Sequence, residues 1–499
     1  MIKDLIFYFY GYVVFFYSMG LIISYVILMW LAEIGIFRKK RGPLSLYTKQ
    51  IIDTSPYTPG VSIIAPAYNE ERTIVDNVKS LLGQDYPSFE VIIVNDGSTD
   101  KTLDLLIKNF SLVEVPFAYV EYIRTKPYRR LFKSTDAEYH RLIVVDKENG
   151  GTKADAVNAG LNASSYPYFI NTDVDCILAR DAISQCIIPI LQSDEVIAVS
   201  GIMATSNGCK VEKGQMIEQR PPHKPCALFQ TLEYMRSFLV GKMGWSRINA
   251  MPNVSGGYGL FDKKIVMSAG GYSGDSFAED MDMIIRMVGY CCDFNRKYRI
   301  VQVPAVACWT EVPPNIRVLY RQRVRWGRGL IETFARHRRF LFNRKYKQLG
   351  MVTLPYVFTF ELLAPLIEFV GFLVFVYQAF TGAVNWTSAL VIFLGLYTFC
   401  FMLSLVVMFN DYTLGGSFPK LRSYLWVTGA ALLEPFLYHP LTVIFSLKGY
   451  WNYLFKKQAV WGAMSRKGFS DSNDKKEEVK VAPVAAGHTT SGNMEGGAS

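Results

Sequence analysis

Asp173 and Asp175 stand one residue apart at the end of an apolar, β-prone run, Tyr168-Phe169-Ile170. A strand that finishes on two carboxylates can offer both to a hard cation, since Mg2+ is usually held by one or two carboxylates plus substrate phosphates. Asp-x-Asp arises about once by chance in a chain of this length. A second copy, Asp280-Met281-Asp282, is present, so position at a strand end is what singles out the first. Glu279 and Asp280 open a run with helical spacing at Met281, Ile284, Ile285 and Val288. Acids at a helix start can simply cap it and complement its dipole, which suits Glu279 as well as a functional role does. Asp280 is read as a general base for an attacking hydroxyl. The most specific string is RQRVRWGRG, which sets Gln322, Arg325 and Trp326 in a Q-x-x-R-W frame. Arginine can clamp a departing diphosphate and tryptophan offers a stacking face. Arg317 and Arg328, in the same arginine-rich run, suit contact with anionic lipid instead.

These groups need a scaffold, and the sequence supplies one. Residues 61–71, VSIIAPAYNEE, read as a short strand breaking into a polar turn. Apolar residues at Ile74, Val78, Leu81 and Leu82 predict a helix, with Gly83 as its stop. A second strand, Val91 to Val94, leads into Asn95-Asp96-Gly97-Ser98, and TLDLLIKNF is again helical. Strand alternating with helix predicts an α/β domain with a mostly parallel sheet. Ligands of such sheets bind beyond the carboxyl ends of the strands. That rule selects Asn69 and Glu70, then Asp96, then Asp173 and Asp175, from three separate strands. Farther on, Gly150-Gly151 make a flexible turn, Lys153 is a lone cation, and residues 154–161 are helical. Residues 111–148 are less regular and basic, and are read as an insertion holding a strand and a hairpin.

Half of the 499 residues are hydrophobic and 14% are aromatic, and they are unevenly spread. Stretches 5–37, 351–380, 388–409 and 424–447 are nearly uncharged, each long enough for a bilayer core of about 30 Å. The first is too long for a cleavable signal and its basic cluster follows it. The net charge of +10 gathers beside the apolar stretches, at Arg38 to Arg41 and at Lys456, Lys457, Arg466 and Lys467. That placement fits the cytoplasmic flanks of membrane spans and argues against nucleic acid as a partner. Eight cysteines without CxxC spacing suit buried thiols in a reducing compartment. Five scattered histidines do not suggest a histidine metal site. Glu434-Pro435 and His439-Pro440 interrupt the last apolar stretch, which predicts two short or re-entrant helices rather than one span. Glu361 and Glu368 lie inside the apolar region, where acids face a cavity or pair with a cation.

Ala67-x-Asn69-Glu70, Asp96, the D-x-D pair, Glu279-Asp280 and Q-x-x-R-W occur in this order. Together they resemble the processive, membrane-embedded family 2 glycosyltransferases: cellulose, chitin, hyaluronan and poly-N-acetylglucosamine synthases. AEDMDM with QRVRWGRG resembles the poly-N-acetylglucosamine and cellulose branch, and the Trp-Gly segment at 461–468 is similar to one in hyaluronan-type enzymes. The resemblance implies a GT-A-like, Rossmann-like cytoplasmic domain attached to transmembrane helices with interfacial amphipathic helices. It implies that Asn69, Glu70 and Asp96 hold uridine, and that Lys153 faces the phosphates. Asp173 would contact the nucleotide sugar, Asp175 the Mg2+ or Mn2+, with Asp173 as second ligand. Asp280 would be the base, Gln322, Arg325 and Trp326 would line the acceptor terminus and diphosphate, and Ala67, Glu279 and Arg323 complete the substrate-binding set.

The expected organisation is an N-terminal membrane helix with basic flank (1–41), a linker (42–60), the catalytic domain (61–312) and interfacial helices carrying Q-x-x-R-W (313–350). A membrane region (351–450), a cytoplasmic segment (451–469) and a disordered tail (470–499) follow. The expected function is an inverting, metal-dependent, processive transferase in the inner (plasma) membrane. It would use a UDP-sugar, with UDP-N-acetylglucosamine the leading candidate, to extend and export a β-linked polysaccharide. Membrane lipid and accessory export proteins are the other expected partners. A non-processive transferase acting on a lipid-linked acceptor, and an inactive scaffold of an export system, are the alternatives. Lack of a cyclic-nucleotide-binding regulatory domain weighs against cellulose.

Overall fold

The computed structural model describes residues 8–40, 46–116, 120–212 and 214–455; the 461–468 segment and the 470–499 tail lie outside them. The catalytic region is built on a ten-stranded sheet in the order β3-β4-β5-β2-β1-β6-β11-β8-β12-β7. Its centre is parallel: β1 (Val61–Ala67), β2 (Phe89–Asp96), β5 (Leu142–Lys147) and β6 (Tyr168–Thr172). These strands are apolar almost throughout and are buried on both faces, as parallel strands covered by helices must be. Register aligns Ala67 with Asn95 and Asp96 with Lys147, so the carboxyl ends form one edge. The other half is mixed. β11 (Tyr258–Asp262) runs antiparallel to β6 and to β8 (Val196–Thr205), β8 is parallel to β12 (Arg299–Thr310), and β7 (Ile177–Leu178) is antiparallel to β12. At the far edge β3 (Leu112–Glu114) and β4 (Tyr128–Ser134) also run antiparallel. A separate hairpin pairs β9 (Lys210–Glu212) with β10 (Gln215–Glu218).

Two sequence expectations change here. The 111–148 stretch is not all insertion. Its last part, Leu-Ile-Val-Val-Asp-Lys, is the fully buried strand β5, inside the sheet between β4 and β2. A short unbroken apolar run is what a two-sided buried strand looks like, and the basic surroundings hid it. The 42–60 linker contains a helix, α2 (Leu46–Thr54), whose Ile52 is fully buried and whose Lys49 pairs with Asp85.

Helices α3 (Ile74–Leu82), α4 (Thr102–Asn109), α5 (Lys153–Ala163) and α6 (Ala182–Gln192) flank the sheet. Gly83 does end α3, accepting the chain with its N–H bonded to Lys79 and Ser80 carbonyls. Next come α7 (Pro225–Arg236), α8 (Glu279–Asp293) and the 22-residue α9 (Ile316–His337). Three helices among the described residues are long and apolar enough to cross a membrane: Gly11–Phe37, which overlaps α1 (Phe15–Lys40), Leu349–Phe380 and Trp386–Thr413. The last two end in α10 (Ala364–Phe380) and α11 (Trp386–Thr413). A fourth candidate is a pair, α12 (Leu421–Leu437) and α13 (His439–Leu454), bent by 52° at the interruption read from the sequence. Several acids of this region have partners: Glu368 pairs with His439 at 2.8 Å, Glu434 with Arg236, and Glu33 with Asn410.

Glycine lets α9 sit between two layers. A Cβ on Gly327 would lie 2.8 Å from the Ser446 carbonyl oxygen of α13, and one on Gly449 of α13 would lie 2.5 Å from the Val324 carbonyl oxygen. On the other side a Cβ on Gly329 would lie 2.8 Å from the backbone nitrogen of Ala278. The arginine-rich helix therefore contacts both a membrane-type helix and the segment that introduces Glu279 and Asp280.

Candidate functional site

Loops after β1 and β2 are stitched together. Asn69 adopts the left-handed conformation (φ 55°), tolerable for asparagine. From there its Oδ1 accepts from the Thr99 N–H (2.8 Å), and its own N–H donates to Ser98 Oγ (3.1 Å). The Glu70 N–H donates to Thr102 Oγ1 at 2.9 Å. Ala67, the last residue of β1, is buried beneath them. Asp96, also buried, accepts through Oδ1 from Lys147 Nζ (2.7 Å) and the Gly150 N–H (3.0 Å). Lys147 is fully buried and reaches Asp155 at 2.6 Å as well. The turn at Gly150 is thus pinned to the end of β2, and α5 starts from it.

Lys153, at the head of α5, is not a lone cation. Its Nζ lies 2.7 Å from Asp173 Oδ1 and 3.9 Å from Glu279 Oε1, and donates to the Gly256 carbonyl at 2.7 Å. Burial alone would lower its pKa, but the Asp173 and Glu279 carboxylates overcome that and raise it. Glu279 is pushed up, first by burial, with Asp173 and Asp280 adding to the effect and the charges of Lys153 and Arg325 opposing it. One ammonium therefore joins the D-x-D strand end to the start of α8, and Arg325 of α9 is near enough to act on the same carboxylate.

Asp173, Asp175 and Cys176 can each offer a ligand atom, all within 4.8 Å of one another. Asp175 is buried and Asp173 half-buried. Two carboxylates at one strand end fit a hard divalent ion; the thiol was not anticipated from the sequence. Asp280 accepts from Asn253 Nδ2 (2.8 Å) through Oδ2, and from the Met281 N–H (2.9 Å) through Oδ1. It contributes to the helix start without losing a defined orientation. Lys242, buried nearby on a π-helical turn (Ser237–Lys242), is lowered to about 8 by burial, and the charge of Asp280 opposes the shift.

The Q-x-x-R-W side chains separate by role. Gln322 is buried, and its Oε1 has no hydrogen-bond partner among the described residues. Trp326 is 38% exposed. Arg323, expected among substrate-binding residues, instead donates to both carboxylate oxygens of Glu233, at 2.7 and 2.6 Å. Burial would push Glu233 up, but the Arg323 charge holds it below the usual carboxylate range. Arg328, expected to contact lipid, pairs with Glu332 (2.8 Å) and lies over the Phe277 ring. Arg317 is exposed.

Sequence reasoning missed Lys147, Asn253, Asp282 and His337. Asp282 is fully buried and accepts from His337 Nε2 (2.7 Å) and Arg286 Nε (2.8 Å), tying the start of α8 to the end of α9. Lys147 had a readable signal, a lone cation closing an apolar run. Asn253 had none, because its role is fixed by a loop far from Asp280 in sequence.

Residues 62–245 match Glycosyl transferase family 2, and residues 225–409 match Glycosyl transferase family group 2. Over 305 residues the chain is 28% identical to a poly-beta-1,6-N-acetyl-D-glucosamine synthase of Staphylococcus epidermidis, covering 61% of each. Over 302 residues it is 27% identical to the enzyme of that name from Staphylococcus aureus strain COL, covering 60% of each. The chain thus spans about three fifths of the length of these curated relatives. In fold it is similar to a mannosyltransferase of Pyrobaculum calidifontis in complex with GDP-Man and Mn2+ (TM-score 0.51, 19% identity, covering 86% of this chain and 100% of that one).

Proposed function

Because the chain belongs to the family 2 glycosyltransferases, we propose that it extends a β-linked polysaccharide from a UDP-sugar, UDP-N-acetylglucosamine being the preferred donor. The observation that carries this reading is Lys153, whose ammonium bridges Asp173 and Glu279. That contact gathers the D-x-D strand end and the Glu279-Asp280 pair into one cleft. The relatives named as poly-β-1,6-N-acetylglucosamine synthases support the donor and the polymer.

Asn69, Glu70 and Asp96 hold the nucleoside at the edge of β1 and β2. Asp173 and Asp175 would hold a divalent ion, Mg2+ or Mn2+, which when bound would neutralise charge on the diphosphate. Lys153 and Arg325 add fixed positive charge where negative charge develops on the leaving group. Asp280, oriented by Asn253, takes the proton of the acceptor hydroxyl. The acceptor oxygen forms a bond to the anomeric carbon from the face opposite the diphosphate, the carbon–phosphate oxygen bond breaks, and UDP departs. One displacement inverts the centre, so an α-linked donor gives a β-linkage. Gln322 and Trp326 line the acceptor end, where the buried, unpaired Oε1 of Gln322 can accept from a sugar hydroxyl.

Orientation follows from the donor. UDP-sugars are cytoplasmic, so the catalytic domain faces the cytoplasm from the inner (plasma) membrane. The apolar helices then carry the product outward, with the α12–α13 pair returning to the same side. The test is incubation of the protein in lipid with a panel of radiolabelled UDP-sugars, with EDTA and with added Mn2+, followed by product sizing. A long polymer made only from UDP-N-acetylglucosamine, lost with EDTA and restored by Mn2+, is the expected result. A single sugar on a lipid extract would identify a non-processive transferase instead.

A further inference from the structure

Arg323 stands inside the Q-x-x-R-W frame but is turned away from the diphosphate side. Besides its two bonds to Glu233, its Nη2 donates to the Tyr438 hydroxyl at 2.9 Å, and that hydroxyl donates to Glu233 Oε2 at 2.6 Å. Tyr438 is the residue between α12 and α13, at the 52° bend. Phe229, one turn before Glu233 on α7, stacks on the Tyr438 ring with centroids 5.4 Å apart. A second tie, Arg236 to Glu434, joins α7 to α12 one turn away. The same Arg323 guanidinium lies 4.3 Å from the centroid of the Trp326 indole. Three elements therefore meet on one cation: a catalytic-domain helix, the motif helix and the break in the membrane-type pair.

A buried charge with two partners, one of them bidentate, has little freedom. An aromatic ring held against it inherits that order. Trp326 is otherwise among the more exposed large side chains of α9. We propose that Glu233 and Tyr438 are positioning residues for the acceptor end of the reaction, acting through Arg323 to fix the pose of Trp326 beside the helix break. The proposal rests on the reading of Trp326 as an acceptor platform. Neither residue is among those assigned to the donor, so both influence how long the growing chain is held rather than how fast UDP is released.

Tyr438→Phe is the sharpest test. It keeps the ring and its stack on Phe229 and deletes only the hydroxyl that bridges Arg323 and Glu233. Loss of hydrogen bonds to charged groups should shorten the product about tenfold, while donor KM and UDP release stay within about twofold of the parent. Glu233→Asp, which keeps the charge but withdraws it, should shift product length in the same direction and by less. Trp326→Ala is the reference and should shorten the product at least as much as Tyr438→Phe. If Tyr438→Phe lowers UDP release and product length together, the latch is a general brace and the proposal fails. If it changes neither while Trp326→Ala shortens the product, the proposal fails and the acceptor reading stands. If Trp326→Ala leaves product length intact, the acceptor reading fails and takes the proposal with it.

Discussion

Gly329 offers a way to move the proposed base without touching it. A methyl group there would lie 2.8 Å from the Ala278 nitrogen, 2.8 Å from the Phe277 carbonyl carbon and 3.0 Å from the Ala278 Cβ. Ordinary contact between such atoms begins near 3.5 Å, so α9 and the Phe277–Ala278 backbone must separate by roughly 0.7 Å. Overpacking of this kind costs about 1–3 kcal/mol, offset by up to about 1 kcal/mol from replacing glycine by alanine in a helix. Against a domain stability of about 5–15 kcal/mol the protein stays folded. The displaced backbone, however, is the two residues before Glu279 and Asp280. A misplacement near 1 Å in a catalytic group can cost about 100-fold, so Gly329→Ala should lower turnover by about 10- to 100-fold. Donor KM should hardly move, because Asn69, Glu70 and Asp96 sit on other loops. Gly395→Ala, on α11 with nothing within 4 Å of the added carbon, is the matched control and should leave turnover alone. The assay is UDP release by the reconstituted protein, alongside its thermal unfolding midpoint. Full turnover in Gly329→Ala would refute the idea that packing of α9 sets the position of Asp280.

Three further outcomes are expected. Asp280→Asn should reduce UDP release by about 100- to 10,000-fold, the range for loss of a general base, with an unchanged unfolding midpoint because an amide oxygen still accepts from Asn253. Lys147→Met strands the carboxylates of the buried Asp96 and the half-buried Asp155 and should destabilise the catalytic domain by about 3–5 kcal/mol, read as a lowered denaturant midpoint; adding Asp96→Asn should recover part of it. Asp282 is pushed up by burial, but its hydrogen bond from His337 and the Arg286 charge prevail, so its folded pKa lies below the ordinary aspartate value. A depressed carboxylate gives stability that is present above its unfolded pKa and lost as pH falls through the folded value. Unfolding free energy should therefore drop below about pH 4, and Asp282→Asn, measured by denaturant titration from pH 2.5 to 7, should be weaker at neutral pH and flatter in acid.

The α/β half of the fold was legible because each central strand is an unbroken apolar run and each helix has regular spacing. Strand-end logic then located Asn69, Glu70, Asp96, Asp173 and Asp175 with no contact information at all. It misjudged β5 because a basic excursion at Arg124 to Lys133 leads into it, and charge outweighed hydrophobicity in the reading. It took Lys153 for a lone cation because both carboxylates beside it are remote, Asp173 by 20 residues and Glu279 by 126 (279 − 153). Arg323 shows the sharper limit. Six arginines on one helix share a composition, and only tertiary contacts distinguish the one that pairs with Glu233 from the one whose charge acts on Glu279.

That distinction has a consequence for how catalysis and the membrane communicate. Along α9 the frame alternates by face: Gly327 meets α13, Gly329 meets the loop before Asp280, Arg325 acts on Glu279 and Arg323 holds the helix break. An α-helix turns 100° per residue, so side chains two apart are presented to nearly opposite sides. A rigid helix that contacts the segment before the proposed base on one side and a membrane-type helix on the other cannot shift toward either without moving both. Replacing either glycine by a larger residue therefore perturbs a shared element, and the Gly327→Ala and Gly329→Ala effects should be more than additive when combined, because each displacement drives α9 toward the contact that the other already crowds.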